Sequence, residues 1–547
     1  MKAFQRDLRW IILASLGLAA LLSFLDGGAW WIGWLAYSFP LLLGLSALAA
    51  LWRWACVEQG RSTGAGRTLA WMLLLALFLR LGLGIALTYI LPVAGNPTDV
   101  QQAGYVFRDA FTRDAQAWNL ARSTHPIWTA FDKSYQVGAV RSTYPAHSAD
   151  QYGGLLALSA LAYRTLSPDI HRPWLIILLS ALTAAIGVAL TWKAARQAWG
   201  ASVGAFAAWI MALYPESLLQ GSSQMREPFL IAFVAMLFLG AVTWQERRRA
   251  TIAWMAGGLA GMLLFSPGVA IFALLITGGF LWLRRGVYIS WRLALAVLGV
   301  GIAAVFLLWL GLARGSFAGT SPTETLSHWL GYSAQWDLYL TQRASDGLQP
   351  LFDALPKFLH LPLVTAYGLF QPVLPAAIAD PAPWPWYTLA IFRALGWYAL
   401  LPLLIFALIA SCRVGAAQKA GPKNERRAWF WLWLATWGWI VLSSARAGGD
   451  QWDNPRYRVI LLLFQAALAA KALAWQRGRR DPWLGRILAV EGVFLALFGY
   501  WYADRYTEWP LWSLSFPVIV VIIIVIAAAT LLGGWLWDRK RAGSSNS

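Results

Sequence analysis

Apolar residues gather in fourteen stretches separated by short polar or basic connections: 10–25, 30–51, 68–91, 174–192, 201–219, 228–245, 252–266, 268–283, 293–313, 386–411, 428–444, 457–475, 484–502 and 513–537. A helix crosses a bilayer with about 20 apolar residues, so the pattern predicts an all-α polytopic membrane protein with about 14 transmembrane helices. Several stretches are short, and one hairpin among them is short enough to be re-entrant. The first, Trp10 to Leu25, stands behind Lys2, Arg6 and Arg9 as a secretory signal would. No small-residue cleavage site follows it; Asp26-Gly27-Gly28 leads straight into the next apolar stretch. It therefore reads as an uncleaved anchor.

Composition narrows the class further. Of 547 residues, 59% are hydrophobic and 13% charged, with a mean hydropathy of +0.54. A soluble domain carries about twice that share of charge, which excludes a cytosolic or secreted globular protein. Scattered Gly and Pro and two cysteines exclude disorder, coiled coil and a disulfide scaffold. Cys56 and Cys412 fall at the cytoplasmic face of the topology below, where a structural disulfide does not persist. The net charge of +19 suggests a nucleic-acid partner until its distribution is read. With the N-terminus inside, every short basic cluster falls on the cytoplasmic side: Arg53, Arg61 and Arg67; Lys193 and Arg196; Arg247 to Arg249; Arg284, Arg285 and Arg292; Arg413 to Arg427; Arg477 to Arg480; and Arg539 to Arg541. The positive-inside rule accounts for the charge with no nucleic acid, and both termini are expected in the cytoplasm of an integral plasma or inner membrane protein.

Two long segments are then extracytoplasmic, about 92–173 and 314–385. Ordered connections of such length are usually functional, and both are rich in aromatics and Pro. The chain divides accordingly into an N-terminal hairpin and cytoplasmic loop (1–67), a transmembrane core with its outer loop (68–313), a second outer segment (314–385) and C-terminal helices with a short basic tail (386–547). Tyr152 to Tyr163 is apolar but too short to span, and is expected as a helix lying at the outer interface with its tyrosines at headgroup level.

Chemistry concentrates in the first outer loop. Asp99, Asp109, Asp114, Asp132 and Asp150 stand within it, and Asp114, Trp118 and Ala121 recur at helical spacing. Asp114 is expected to cap or open that helix. Read singly, each aspartate is an N-cap or a partner for Arg108, Arg113 or Arg122. Read together, beside a bilayer that disfavours uncompensated charge, they point to a functional role.

An acidic residue shortly after a transmembrane helix, followed four positions on by an aromatic and seven on by Ala, resembles the first outer loop of GT-C type membrane glycosyltransferases. The nearest branch by this resemblance is the protein mannosyltransferase-like group, glycosyltransferase family 39. Asp150-Gln151-Tyr152-Gly153-Gly154 is similar to the start of that family's interfacial helix, and Leu190 to Gly200 to its basic cytoplasmic turn. Tyr214-Pro215-Glu216 and Ser222 to Pro228 resemble its next outer loop, and Asn454-Pro455-Arg456-Tyr457-Arg458 its late Arg-Tyr element. The resemblance covers roughly 68–475. This chain has Asp114-Ala115 where the family often has Asp-Glu, and Asp150-Gln151 where it usually has Pro-Pro.

The resemblance implies a hexosyltransferase that moves a sugar from a polyprenyl-phosphate donor to an acceptor hydroxyl at the extracytoplasmic face. It would proceed by inverting displacement, with Asp114 as first choice for the catalytic base and Asp109 as second. Asp150 and Glu227 would hold the acceptor or a metal ion; Tyr152 and Arg226 complete that set. The acceptor is a protein hydroxyl, a lipid or a glycan. Elementary chemistry leads the same way. Outside the membrane a sugar must arrive on a lipid phosphate, which needs a greasy groove, a cation for the phosphate and a base for the acceptor. Arg456 and Arg458, flanking Tyr457, offer guanidinium forks that match phosphate oxygens. Equally, such a pair anchors a helix at the headgroups, and Arg226-Glu227 is also a local pair capping the helix that starts at Pro228.

Other signals are thinner. Arg80 interrupts an apolar run, so it requires a partner; structure and donor phosphate are equally open to it. His125, His147, His171, His328 and His360 show no metal-ligand spacing, so a divalent metal would depend on carboxylates and no metal site is assigned. No Walker-type phosphate loop occurs. Trp118, Trp128, Trp329 and Trp336 are candidates for stacking on sugar rings. The alternatives are a transporter or lipid-linked glycan flippase, which would call for paired halves and broken helices, and a glycan polymerase, which shares the lipid-phosphate physics.

Overall fold

Thirteen of the fourteen apolar stretches coincide with helices in the structure, a computed structural model that describes residues 2–57, 63–131, 153–244, 248–285, 355–379, 382–417, 423–448, 450, 452–506 and 514–544. The remaining stretch, 293–313, lies outside the described residues. Among the described residues there is no strand. Among these same residues eight helices are long and apolar enough to cross a membrane, or ten if each of two bent pairs counts as one span. The difference from fourteen has physical causes. Glu227–Thr243 and Ala250–Phe265 fall short of bilayer length. Lys423–Ala447 carries five tryptophans, whose ring N–H makes them amphipathic, and charge at both ends.

The chain divides into two compact units. One comprises Met1–Trp282, Gly286–Leu338 and Val459–Leu463; the other comprises Leu283–Arg285, Tyr339–Arg458 and Phe464–Ser547. The first begins with α1 (Lys2–Asp26), α2 (Trp30–Val57) and α3 (Thr63–Ala94), followed by the short α4 (Asp99–Gln102), α5 (Arg108–Arg122), a 3₁₀ turn (Ile127–Phe131) and α6 (Gly154–Leu166). It continues with α7 (Pro173–Trp199), α8 (Ala201–Leu213), α9 (Pro215–Gly221), α10 (Glu227–Thr243), α11 (Arg248–Phe265) and α12 (Pro267–Arg285). Proline opens α7 and α12, where a missing N–H costs nothing, and Pro215 opens α9. Between α7 and α8 the chain turns at Gly200, whose φ of +97° only glycine adopts readily.

α7 is the central helix of this unit: 83% of its most apolar window is buried, against 6% for Phe516–Arg541 at the other extreme. Small residues make this possible, since in lipid the drive for helix association is close packing rather than apolar burial. A Cβ on Gly258 of α11 would meet Phe233 O at 2.7 Å and Leu237 N at 2.8 Å, so those backbones touch. At one end of the bundle Tyr89 Oη donates to Leu25 O at 3.0 Å, which puts the end of α1 beside the end of α3. The segment carrying α4, α5 and α6 leaves α3 at that end and returns to α7 there. Gly153 (φ +62°) begins α6 with Ala130 O about where a Cβ would stand, so the entry to α6 requires glycine.

Two expectations are corrected here. The Asp114 helix opens six residues earlier, at Arg108, so Asp114 is an interior residue and no cap. The short apolar helix runs Gly154–Leu166, and its Tyr163 is completely buried rather than at headgroup level, because it packs on α5.

The second unit contains α13 (Lys357–Phe370), α14 (Leu374–Ala379), α15 (Trp384–Ala417), α16 (Lys423–Ala447), α17 (Asp453–Val459), α18 (Leu462–Arg479), α19 (Pro482–Tyr506) and α20 (Phe516–Ser544). The span expected from 457 opens instead at Asp453, and α17 meets α18 at a bend of 74°. At the end of α13, where the Gln371 N–H donates to Gly368 O at 3.3 Å, side chains from far along the chain supply further donors. Asn454 Nδ2 donates to Gly368 O at 2.7 Å, Trp397 Nε1 to Leu369 O at 2.9 Å, Tyr398 Oη to Phe370 O at 3.0 Å and Arg458 Nη2 to Gln371 O at 2.7 Å.

Candidate functional site

α5 buries Ala110, Arg113, Asp114, Ala117 and Leu120, a stripe at helical spacing that faces α6. Asp114 is the charged residue in that stripe whose surroundings are most unusual. It is 2% exposed, and both carboxylate oxygens accept hydrogen bonds: Oδ2 from Tyr105 Oη at 2.6 Å and Oδ1 from Tyr163 Oη. His171 Nε2 lies 2.8 Å from Oδ2. Trp118, one turn on from Asp114, stacks on His171 with centroids 5.2 Å apart and meets Tyr163 edge-on at 5.8 Å. Burial, then the negative charge of Asp114, push the hydroxyls of Tyr105 and Tyr163 well above the ordinary phenol range. Both therefore remain protonated and donate to the buried carboxylate, one to each oxygen.

The loop that brings His171 to this place is held by its neighbour. Arg172 is fully buried, its Nε 3.0 Å from Asp26 Oδ2, while Nη1 and Nη2 both donate to the Asp169 carboxylate and Nη1 also reaches Ser167 Oγ at 2.7 Å. Tyr37 Oη donates to the same Asp26 oxygen at 2.8 Å. The N-terminal hairpin is thereby fastened to the loop that positions the imidazole. Hydrogen bonds from Arg172 hold the Asp169 carboxyl below its ordinary value, against burial, which pushes it up. A carboxyl depressed on folding contributes stability that is complete above its unfolded value of about 4 and is lost as the pH falls through the lower folded value. An acid titration of thermal stability is expected to show this contribution intact at pH 5 and lost only below about pH 4.

In the second unit the Arg-Tyr-Arg element splits into two environments. Arg458 is 1% exposed, caps α13 and lies with its guanidinium carbon 3.4 Å from the Trp397 ring centroid. Arg456 pairs with Asp453 at 3.3 Å and lies 5.1 Å from the centre of the Tyr457 ring, where Arg446 approaches at 5.2 Å. Arg393, also buried, donates to Trp452 O at 3.0 Å and sits over the Trp452 ring. Four cationic side chains thus collect around three aromatic rings.

The other sequence candidates fall as follows. Asp109 is in the first turn of α5, half-buried; five residues from Asp114, it points about 140° away around the helix. Glu227 is buried in the first turn of α10 and pairs loosely, at 4.0 Å, with Arg226. Glu216, quoted for resemblance alone, is buried in α9 and accepts from Gln220 Nε2 at 2.7 Å. Asp150 and Tyr152 lie outside the described residues, as do Asp132, His147, Trp329 and Trp336. Arg80 is decided in favour of structure: it is completely buried and donates to Ala76 O, Met211 O, Ala212 O and Ser217 Oγ at 2.9–3.1 Å. Pro215 has no N–H to offer Met211 O, and the α8–α9 bend of 56° is closed by Arg80 in its place. Among the described residues no three His, Cys, Asp or Glu side chains form a metal-binding group. The donors aimed at Asp114 make it a hydrogen-bonded carboxylate, not a vacant ligand set.

Sequence reasoning missed His171, Tyr105, Tyr163, Arg446 and the Asp26–Arg172–Asp169 clamp. None stands at a recognisable spacing; the one usable signal was an Arg and a His directly before a helix-opening proline, Pro173.

With helix the regular structure among the described residues, and eight of those helices of membrane-crossing length, the chain is a polytopic membrane protein. No family model matches the chain, and no curated protein matches it. Among solved structures it is similar to the archaeal oligosaccharyltransferase AglB of Archaeoglobus fulgidus. Against the complex with an inhibitory peptide and a dolichol-phosphate, identity is 14% and the TM-score 0.38, over 86% of this chain and 55% of that one. Against the form tethered to an acceptor peptide containing the NVT sequon, identity is 14% and the TM-score 0.42, over 86% and 54%. The chain spans about half the length of the structures it matches.

Proposed function

We propose that this chain is an integral membrane glycosyltransferase that moves a sugar from a polyprenyl-phosphate-linked donor to an acceptor hydroxyl at the extracytoplasmic face, with inversion by direct displacement. The observation that carries the reading is Asp114: a buried carboxylate, at one end of a bundle of apolar helices, surrounded by two hydroxyl donors and an imidazole. Burying an ionised carboxylate costs several kcal/mol even after relaxation, and intramembrane or interfacial charge of this kind marks functional sites by default. The Asp114 centre supplies the basicity that the acceptor hydroxyl needs, with Asp109 as the second choice.

Arg456 takes the donor phosphate, with Arg446 across the same Tyr457 ring, and Arg458 serves the site by fixing α17 against the end of α13. Arg226 and Glu227, with Asp150 and Tyr152 of the same resemblance, are assigned to the acceptor. The acceptor is a protein, lipid or glycan hydroxyl. Both termini face the cytoplasm, where the basic connections lie.

A transporter reading draws on the two bent helix pairs, since transporters bind substrate at broken helices. Each bend here is closed from within the protein: Arg80 satisfies the carbonyls at the first, and Gln465 Nε2 donates to Arg458 O at 2.7 Å across the second. The carbonyls of Met211, Ala212 and Arg458 are thus met by the protein's own side chains, and the transferase reading stays ahead. The test is turnover. The protein in lipid nanodiscs is incubated with polyprenyl-phosphate carrying one radiolabelled sugar at a time, with membrane extract as the acceptor source. Donor-dependent movement of label to acceptor, with release of polyprenyl phosphate, is expected. Absence of both with every sugar tried, in protein that is folded, would overturn the proposal.

A further inference from the structure

We propose that the proton of the acceptor hydroxyl is taken by the imidazole of His171, oriented by Asp114, and not by the Asp114 carboxylate itself; this rests on the transferase reading above. The argument is one of access. A general base must come within about 2.6–3.2 Å of the proton donor it serves. Asp114 is 2% exposed, and each of its oxygens already accepts a hydrogen bond, Oδ2 from Tyr105 and Oδ1 from Tyr163, with His171 Nε2 standing 2.8 Å from Oδ2. The His171 side chain, by contrast, is 29% exposed. Its Nε2 faces Asp114, so Nδ1 is the nitrogen left to meet a ligand.

The ring is also held as a catalytic group should be. Trp118 covers one face, with planes 28° apart, and Tyr163 meets the ring at 77° with centroids 5.1 Å apart. Its backbone is fixed by the Arg172 clamp one residue on. The charged and titratable groups facing it come from several elements. Asp114 comes from α5, Tyr163 from α6 and Tyr105 from the turn before α5. Asp169 and Arg172 lie on its own loop, backed by Asp26 and Tyr37 from α1 and α2. Asp114 is the group in direct contact.

In the step, the acceptor oxygen forms its bond to the anomeric carbon as the bond from that carbon to the phosphate oxygen breaks. The bonding pair leaves with the phosphate. The acceptor's proton passes to Nδ1, and the Asp114 carboxylate 2.8 Å from Nε2 balances the imidazolium until the proton is lost to water. Aspartate–histidine pairs in which the acid sets the tautomer and the imidazole moves the proton are a general solution to this task. The flanking Trp118 face suits the apolar side of a sugar ring.

Histidine is the side chain whose titration ordinarily falls between pH 5 and 8, so the test is a pH–rate profile of transfer at saturating donor. In the wild-type protein kcat is expected to rise across that range. His171→Gln is expected to lower kcat by about 10²–10⁴-fold, to leave the donor KM within about threefold and to abolish the rise. Imidazole added to His171→Gly is expected to restore part of the rate. A wild-type profile flat between pH 5 and 8, or a His171→Gln enzyme that keeps the rise or loses less than about threefold in kcat, overturns the assignment while leaving the transferase reading standing. No transfer by the wild-type protein at any pH overturns both. The wild-type profile decides the matter even where the variants fold poorly.

Discussion

Replacing Asp114 by asparagine is expected to reduce transfer by about 10³–10⁴-fold with little change in donor binding. The substitution keeps the side chain's volume, so the close packing of α5 on α6 survives. What changes is the pattern of donors and acceptors. Tyr105 and Tyr163 both donate to the carboxylate, and Asn can offer only one oxygen, so one hydroxyl then faces an amide N–H₂. His171 Nε2 loses the carboxylate that stands 2.8 Å from it. The measurement is single-turnover transfer in nanodiscs, normalised to folded protein. A loss smaller than about tenfold would remove Asp114 from the reacting centre and leave it a structural acceptor for two tyrosines.

Arg456→Gln is the second large effect expected, a fall in kcat of about 10²–10³-fold. As the sugar–phosphate bond breaks, negative charge grows on the leaving phosphate, and one preorganised donor at such a place contributes on the order of 3–4 kcal/mol. The competing account is a local staple: Arg456, itself buried, pairs with Asp453 three residues earlier on the same short helix, and such a pair holds the turn and contributes nothing to rate. The two magnitudes differ enough for kinetics alone to choose between them. Donor titration with Arg456→Gln and Arg456→Lys gives the answer, because a point charge recovers part of the electrostatic effect without the planar fork. Unchanged kcat in both variants would make Arg456 a staple and leave the donor's phosphate to another cation.

Much of the helical architecture was legible because bilayer thickness writes itself into the sequence as apolar runs of matching length. The bends were less so. Pro215 stands inside the apolar stretch 201–219, which reads as one span, and nothing nearby announced a bend there or that Arg80, far upstream, would satisfy the carbonyls left open; that is a fact of packing between helices. Asp114 stood out by spacing and resemblance, whereas its partners Tyr105, Tyr163 and His171 come from three separate segments and share no periodicity with it. The aspartate's burial corrected its expected place at the mouth of a helix. Similarly, the Arg456–Arg458 pair looked like one phosphate clamp in sequence. On a helix two residues apart means about 200°, so the two guanidinium groups serve different neighbours.

The four donors at the end of α13 set an order of events during biosynthesis. Trp397 lies 28 residues beyond the carbonyl it serves, and Arg458 lies 87 residues beyond its own. At about 5–20 residues per second, the ribosome takes several seconds longer to supply the last donor than the helix takes to emerge. Throughout that interval the frayed terminus needs water, headgroups or the insertion machinery as a temporary partner. Translation speed across residues 371–458 therefore sets how long this end stays open to mispairing.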